Sequence, residues 1–427
     1  MRAVLVSPGG GRQNPRQFNA RAPKMSAIAT KSTRIDFTPL HERMQWYIDA
    51  EILSCCNTLV MRGLDVLDFK TYGYMDIESR RPLRDDAIYR MYSNTKIVTS
   101  VAAMMLHEAG RFGLDDPLAE YLPEFANMRV LHADAETADD ASPAVGPITM
   151  RQVLSHSAGF SYGFIEPQSV VDRTYNERGI NLLSESGDTL AALCDRLATV
   201  PLAYEPGTAW RYSLATDVTA RAVEVLSGMR FDEFLQTRIF APLGMHDTGF
   251  HVPEAKRERF TTMYLPEHPL EPMQGGLSKA DDPLDGRYTR PPSLLSGGGG
   301  LVSTVADYLA FVRMLVNDGE WQGARILEPA TLQLMRTNQL QPGLGVNFPM
   351  WAMPQTVFGL GFAIRTGAQP EEPATVVDEH FWGGMAGTHS WMSPRANLTG
   401  MCMTQRMPGF WHPFSHDFRR LSYSLAG

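Results

Sequence analysis

The chain is poor in the residues that build metal centres, disulfide frameworks and membrane spans. It has four cysteines in 427 residues, Cys55, Cys56, Cys194 and Cys402, and no pair has a zinc-site spacing. The expectation is free, buried thiols in a reducing compartment, and with it a cytoplasmic location. No HExxH, CxxC or strand–GxGxxG–helix pattern occurs, so neither a metal nor a nucleotide cofactor is expected. No apolar run approaches the roughly 18–20 residues that a membrane-crossing helix needs. Positive charge is short in the body of the chain. The net charge is −8, although residues 1–35 hold Arg2, Arg12, Arg16, Arg21, Lys24, Lys31 and Arg34 and no acid. An acidic body argues against a nucleic-acid surface. Residues 1–35, rich in Gly, Pro, Ser and Asn, read as a basic disordered tail rather than a signal or transit peptide.

What is present is an ordinary globular composition, 44% hydrophobic and 20% charged, with length enough for a large core. A helix is expected over about 40–50, then strands over 53–61 and 64–74. The strongest helix runs from Ser93 to His107, apolar on nearly all sides and stopped by Gly110. Further helices are expected over 189–198, 214–226 and 231–239, and Thr304 with Asp307 reads as a capping box. The last hundred residues look strand-rich, at 359–365, 376–382, 389–393 and 398–404, before a final helix over 415–425. Strands at both ends imply that the termini share one sheet. The division expected is a sheet domain from 36–110 and 291–427, with a mostly helical domain, 111–290, inserted.

Chemistry concentrates at Ser93-Asn94-Thr95-Lys96. A spacing of three puts serine and lysine on one helical face, and a first-turn serine sits where backbone N–H groups favour developing negative charge. The chain has six lysines, and Lys96 alone has a serine three residues upstream. A lysine avoids a buried helix unless it has a partner, so the alternative of a plain helix cap with a solvent-facing lysine is the weaker one. Serine needs a base. Desolvation of Lys96 would supply a neutral amine; a tyrosine phenolate stabilised by the lysine cation would serve equally, and the sequence leaves both open.

Three motifs follow in order: Ser93-x-x-Lys96, then Tyr212-Ser213-Leu214, then Trp382-Gly383-Gly384. With Leu154-Ser155-His156-Ser157-Ala158-Gly159, Pro242-Leu243-Gly244-Met245 and the glycines within Ser296–Ser303, the chain from about residue 38 resembles the serine β-lactamase and penicillin-binding-protein superfamily. It is most similar to class C β-lactamases and the family VIII carboxylesterases that share their fold. The resemblance implies an α+β fold, an α/β/α sandwich whose mainly antiparallel sheet is formed by both chain ends. It implies Ser93 as nucleophile, Lys96 as activating partner and Tyr212 as base or proton shuttle. The backbone N–H groups of Ser93 and Met385 would form the oxyanion hole, and Trp382, Gly383, Gly384 and Tyr162 would contact substrate. Trp382 stands where β-lactamases carry a cationic residue, and Leu214 where they carry the asparagine of Tyr-x-Asn. Two polar recognition groups are thus replaced by apolar ones, which favours short-chain or apolar acyl esters.

The expected function is a serine carboxylesterase acting on a small ester, with no cofactor. The rivals are a β-lactamase or D-alanyl-D-alanine peptidase, an acyltransferase and, from another class, a non-catalytic ligand-binding scaffold. Gly159-Phe160-Ser161-Tyr162-Gly163 also fits the G-x-S-x-G nucleophile elbow, but the flanking residues do not form the strand and helix an elbow joins. Gly297–Gly300 lacks the Lys-Ser/Thr of a phosphate loop and reads as close backbone passage beside the site. His156 and His389 have no evident carboxylate partner and read as structural.

Overall fold

The computed structural model describes residues 34–180, 188–349, 351–410 and 412–427; all but the last two residues of the expected basic tail lie outside them. In helix α1 (Thr38–Asp49), Leu40, Met44 and Tyr47 recur at helical spacing and are buried. They pack on the last helix, α5 (Pro413–Ala426). Arg43 Nε and Tyr47 OH both donate to Asp417, at 2.6 and 2.8 Å. The two ends of the chain are therefore joined by apolar and polar contacts on one face of the sheet.

That sheet has eight strands. In chain order they are β1 (Cys55–Arg62), β2 (Asp65–Asp76), β3 (Arg81–Pro82), β4 (Thr356–Phe358), β5 (Ala363–Arg365), β6 (His380–Gly383), β7 (Thr388–Ser393) and β8 (Leu398–Met403). Their spatial order is β4-β5-β6-β7-β8-β1-β2-β3, and each pairing is antiparallel. The closing pair joins the chain ends in the register Asn57↔Met403 through Arg62↔Leu398. Strand β1 is buried along its length except at Arg62. Strand alternation sends Cys55 into the main core and Cys56 into the layer under α1 and α5. Cys56 Sγ lies 3.3 Å from Cys402 Sγ, and all four thiols are free and buried.

The other face carries α2 (Thr95–Glu108), in which only Met105, His107 and Glu108 escape full burial. Each buried Ile, Val or Met there contributes roughly 1.5–3 kcal/mol. Helix α3 (Ala215–Ser227) packs against it. Thr304 caps α4 (Val305–Val316) by accepting from the Asp307 N–H, while the Asp307 side chain holds the Asp247 N–H and the Thr248 hydroxyl. The cap forms as expected and the reciprocal half of the box does not. Among the described residues no helix is long and apolar enough to cross a membrane, and no cluster of three His, Cys, Asp or Glu side chains suits a metal.

Two expected strands are shorter than the sequence suggested. Over 359–365 only Ala363–Arg365 is extended. Gly361, at φ +96°, turns tightly against α2, where a Cβ would meet Ser100 Oγ at 2.4 Å. Over 376–382 the strand begins at His380, because Ala374–Val376 is a 3-10 turn and Asp378 has φ +68°. The helix expected over 231–239 changes to a π-turn at Gln236–Phe240.

Candidate active site

Ser93 sits in a 3-10 turn, Tyr92–Asn94, that runs straight into α2. Tyr92 has φ +42°, a conformation a bulky residue adopts only when its surroundings enforce it. The enforcement comes from the neighbours of Asn94. Its amide donates to Thr388 O at 2.9 Å, it accepts from Ser390 Oγ at 3.1 Å, and its carbonyl accepts from Tyr308 OH at 3.2 Å. Thr388 Oγ1 also donates to Met91 O at 2.9 Å. The Ser-Asn-Thr-Lys turn is thereby pinned to β7.

Lys96, one turn on, is 2% exposed. Its Nζ donates to Tyr162 OH at 2.8 Å, to Gly298 O at 2.7 Å and, more weakly, to Ser93 Oγ at 3.4 Å. It lies 4.6 Å from the centre of the Tyr212 ring. Burial lowers the Lys96 pKa to about 7, against an upward pull from the Asp217 charge. Tyr212 is buried on the approach to α3. Its hydroxyl is in hydrogen-bond reach of Ser93 and accepts from Trp382 Nε1 at 3.2 Å. Burial raises the phenol's pKa, so it holds its proton at neutral pH. Tyr162 is likewise held neutral by burial. Burial thus pulls the Lys96 amine toward its neutral form while keeping both phenols protonated.

Ser93 stands between two cavities. A cavity of about 270 Å³ is lined by Phe348, Trp351, Phe410, Ile165, Gly383 and Met385. The other, about 730 Å³, is lined by Tyr162, Tyr288, Leu294, Asn176, Arg287 and Met385. Phe164, half exposed and stacked on Tyr162 at 4.9 Å, borders both. Ser93, Lys96, Tyr212 and Tyr162 thus converge, and Gly383 and Met385 reach the cavity. Trp382 and Gly384 stand behind it. The indole of Trp382 is 1% exposed and spends its N–H on Tyr212. A Cβ on Gly384 would meet Met91 O and Thr388 Oγ1, both at 2.3 Å, so this glycine lets the β6–β7 turn close on the Ser93 turn.

The remaining candidates fall where their surroundings place them. Ser161 is wholly buried, donates to Asp172 and accepts from Arg211 Nε at 2.6 Å. Helix Met150–Leu154 precedes it, where an elbow needs a strand. His156 is buried, with Nδ1 at 3.0 Å from Ser213 Oγ, and burial keeps it neutral. His389 lies 3.2 Å from Gly409 O, its pKa lowered to about 4 by burial. The Gly297–Gly300 run passes beside α2, with Thr99 Oγ1 donating to Gly297 O at 2.8 Å. Sequence reasoning missed Asp217 and Ser296. The signal available was an acid on the first turn of the helix after Tyr212-Ser213-Leu214, whose other charges, Arg221 and Glu224, lie further along.

Comparison with known proteins agrees with this architecture. The family model Beta-lactamase matches residues 55–423. Protein Rv1367c of Mycobacterium tuberculosis is 33% identical over 369 residues, 84% of this chain and 88% of its own. Esterase EstB of Burkholderia gladioli is 30% identical over 353 residues, 79% of this chain and 82% of its own. The structure of EstCE1, described as a hydrolase with promiscuous acyltransferase activity, superposes with a TM-score of 0.76 at 26% identity, covering 90% of this chain and 97% of that one. The serine, lysine and tyrosine gathered at the head of α2 belong, with the sheet that carries them, to a member of the beta-lactamase family.

Proposed function

We propose that Ser93 is the nucleophile of this serine carboxylesterase and that its substrates are small esters with short or apolar acyl groups. The observation that carries the reading is the meeting of Ser93 Oγ, a buried Lys96 amine and the Tyr212 phenol at the junction of two cavities. As Ser93 Oγ bonds to the ester carbonyl carbon, its proton passes to Lys96. The carbonyl oxygen becomes an oxyanion, met by the backbone N–H groups of Ser93 and Met385, each worth about 3–4 kcal/mol in such sites. Collapse breaks the ester C–O bond, and the leaving alkoxide takes the proton back from Lys96, beside the Tyr212 hydroxyl. Water, activated by the same groups, then releases the acid from Ser93.

The aromatic cavity of about 270 Å³ suits the acyl chain. No cation stands at Trp382, and Leu214 is wholly buried where an amide would face substrate. Both features remove contacts of the kind that hold the amide and carboxylate of β-lactams and peptides, although Arg287 lines the larger cavity. The larger cavity beside Ser93 has room for an acceptor alcohol, which supports acyl transfer as a second activity. Four free thiols fit a reducing compartment, and we place the protein in the cytoplasm. The test compares p-nitrophenyl butyrate, p-nitrophenyl laurate and a chromogenic cephalosporin. The expected order of kcat/KM is butyrate well above laurate, with the cephalosporin at least about 100-fold lower still, a difference of about 2.7 kcal/mol in barrier. Cephalosporin turnover matching the butyrate would overturn it. Butyryl esters formed on adding a primary alcohol would register the second activity.

A further inference from the structure

The mechanism above gives no task to a buried carboxyl that borders the site. Asp217, on the first turn of α3, has no solvent exposure. Its Oδ1 accepts from Ser296 Oγ at 2.7 Å and from the Gly298 N–H at 3.1 Å, while its buried Oδ2 has no hydrogen-bond donor. An ionised carboxylate so placed costs several kcal/mol unless a counter-charge compensates it. Gly298 joins it to the site: the same residue that donates its N–H to Asp217 gives its carbonyl to Lys96 Nζ at 2.7 Å. A Cβ at Gly298 would lie 2.5 Å from Asp217 Oδ2 and 3.0 Å from Tyr162 OH. The missing side chain therefore leaves the open oxygen and the Tyr162 hydroxyl on the same side of the Gly298 backbone.

We infer that Asp217 is a positioning residue of the esterase site, a buried counter-charge that acts across the Gly298 backbone to stabilise the Lys96 ammonium formed when Ser93 gives up its proton. This rests on the assignment of Ser93 and Lys96 proposed above. The groups facing Lys96 are few. Ser93 lies on the same helical approach, Tyr162 and His156 come from the loop segments after helix Met150–Leu154, Tyr212 and Asp217 from the start of α3, and the Gly298 carbonyl from the glycine run. The tyrosines and His156 are held neutral by burial. Burial raises the Asp217 pKa as well, opposed by the Lys96 charge and by the hydrogen bonds from Ser296 and the Gly298 N–H, and Asp217 is the one carboxyl of this set. Cys194, which also feels Asp217, is a thiol kept protonated by burial.

A proton moving from Ser93 Oγ to Lys96 Nζ creates a buried cation, and a nearby anion makes that cation easier to form. Asp217→Asn removes the charge and keeps the shape. Lys96 then binds its proton less tightly, so the acid limb of kcat/KM for p-nitrophenyl butyrate, expected near pH 7 in the wild type, moves down by about one unit. The plateau kcat falls about tenfold because the base is weaker, with KM nearly unchanged. Asp217→Glu keeps the charge and returns the limb toward its wild-type position. A merely structural residue would lower the rate without moving the limb. Should Asp217→Asn not fold, Gly298→Ala carries the same test, since its methyl must displace Oδ2 and so move the limb down. A limb that stays in place in a folded Asp217→Asn, or in Gly298→Ala when the former does not fold, overturns the inference. Ser93→Ala, assayed alongside, separates the layers. Wild-type turnover in that variant defeats the assignment of Ser93 as nucleophile, whereas a silent Ser93→Ala with an unmoved limb in Asp217→Asn defeats only the role of Asp217.

Discussion

Single residues in this site are assigned by what their neighbours leave them free to do. Lys96 has its three contacts inside the protein and an amine poised near neutrality. Ser161, by contrast, is consumed by Asp172 and Arg211. Ser161→Ala should hydrolyse p-nitrophenyl butyrate at close to the wild-type rate. It should lose about 1–3 kcal/mol of stability by leaving that buried ion pair short of a hydroxyl, measurable by urea unfolding. A dead but folded Ser161→Ala would revive the elbow reading. At this scale the candidates that converge were legible because their residue types suit the proposed chemistry: a serine and a lysine one turn apart. Trp382 was legible as a departure from the family pattern but not in its position. The sequence cannot show that its indole N–H is spent on Tyr212. Asp217 stayed hidden for a related reason. Its meaning depends on Gly298, 81 residues away in the chain, and an aspartate on a helical first turn reads as dipole complement.

At the scale of elements, the proposed catalysis requires a close approach of the β6–β7 turn to the Ser93 turn. Gly384→Ala places a methyl against the Met91 carbonyl, a backbone atom that cannot rotate away. The expected result is a kcat/KM for p-nitrophenyl butyrate reduced at least about tenfold, about 1.4 kcal/mol of barrier, with a far-UV circular dichroism spectrum that is unchanged. Wild-type kinetics would show that this approach does not matter. Helices α1, α2 and α3 were readable from apolar periodicity and their stops, because burial on one or all sides leaves a strong pattern. The strands over 359–365 and 376–382 were read too long. Gly361 and Asp378 take positive φ there to meet helix α2 and to start β6, and tertiary contacts of that kind leave no periodic trace.

The whole molecule is closed by its two ends. Strand β1 pairs with β8, and α1 packs on α5 over Tyr47, Cys56, Trp391 and Phe418. Removing residues 413–427 should therefore abolish the cooperative thermal transition, although no residue of α5 lines either cavity beside Ser93. A truncated protein that melts like the full chain would contradict this. Strand-rich ends around a helical middle made the shared sheet foreseeable. The two cavities were not, since their walls come from loops whose course depends on packing between distant segments.

The most direct test of the central claim is covalent. After reaction with diethyl p-nitrophenyl phosphate, peptide mass spectrometry should find one diethylphosphoryl group on the peptide bearing Ser93, stoichiometric with lost activity and absent from Ser93→Ala. Inactivation with the label on any other residue, or undiminished labelling of Ser93→Ala, would contradict the account.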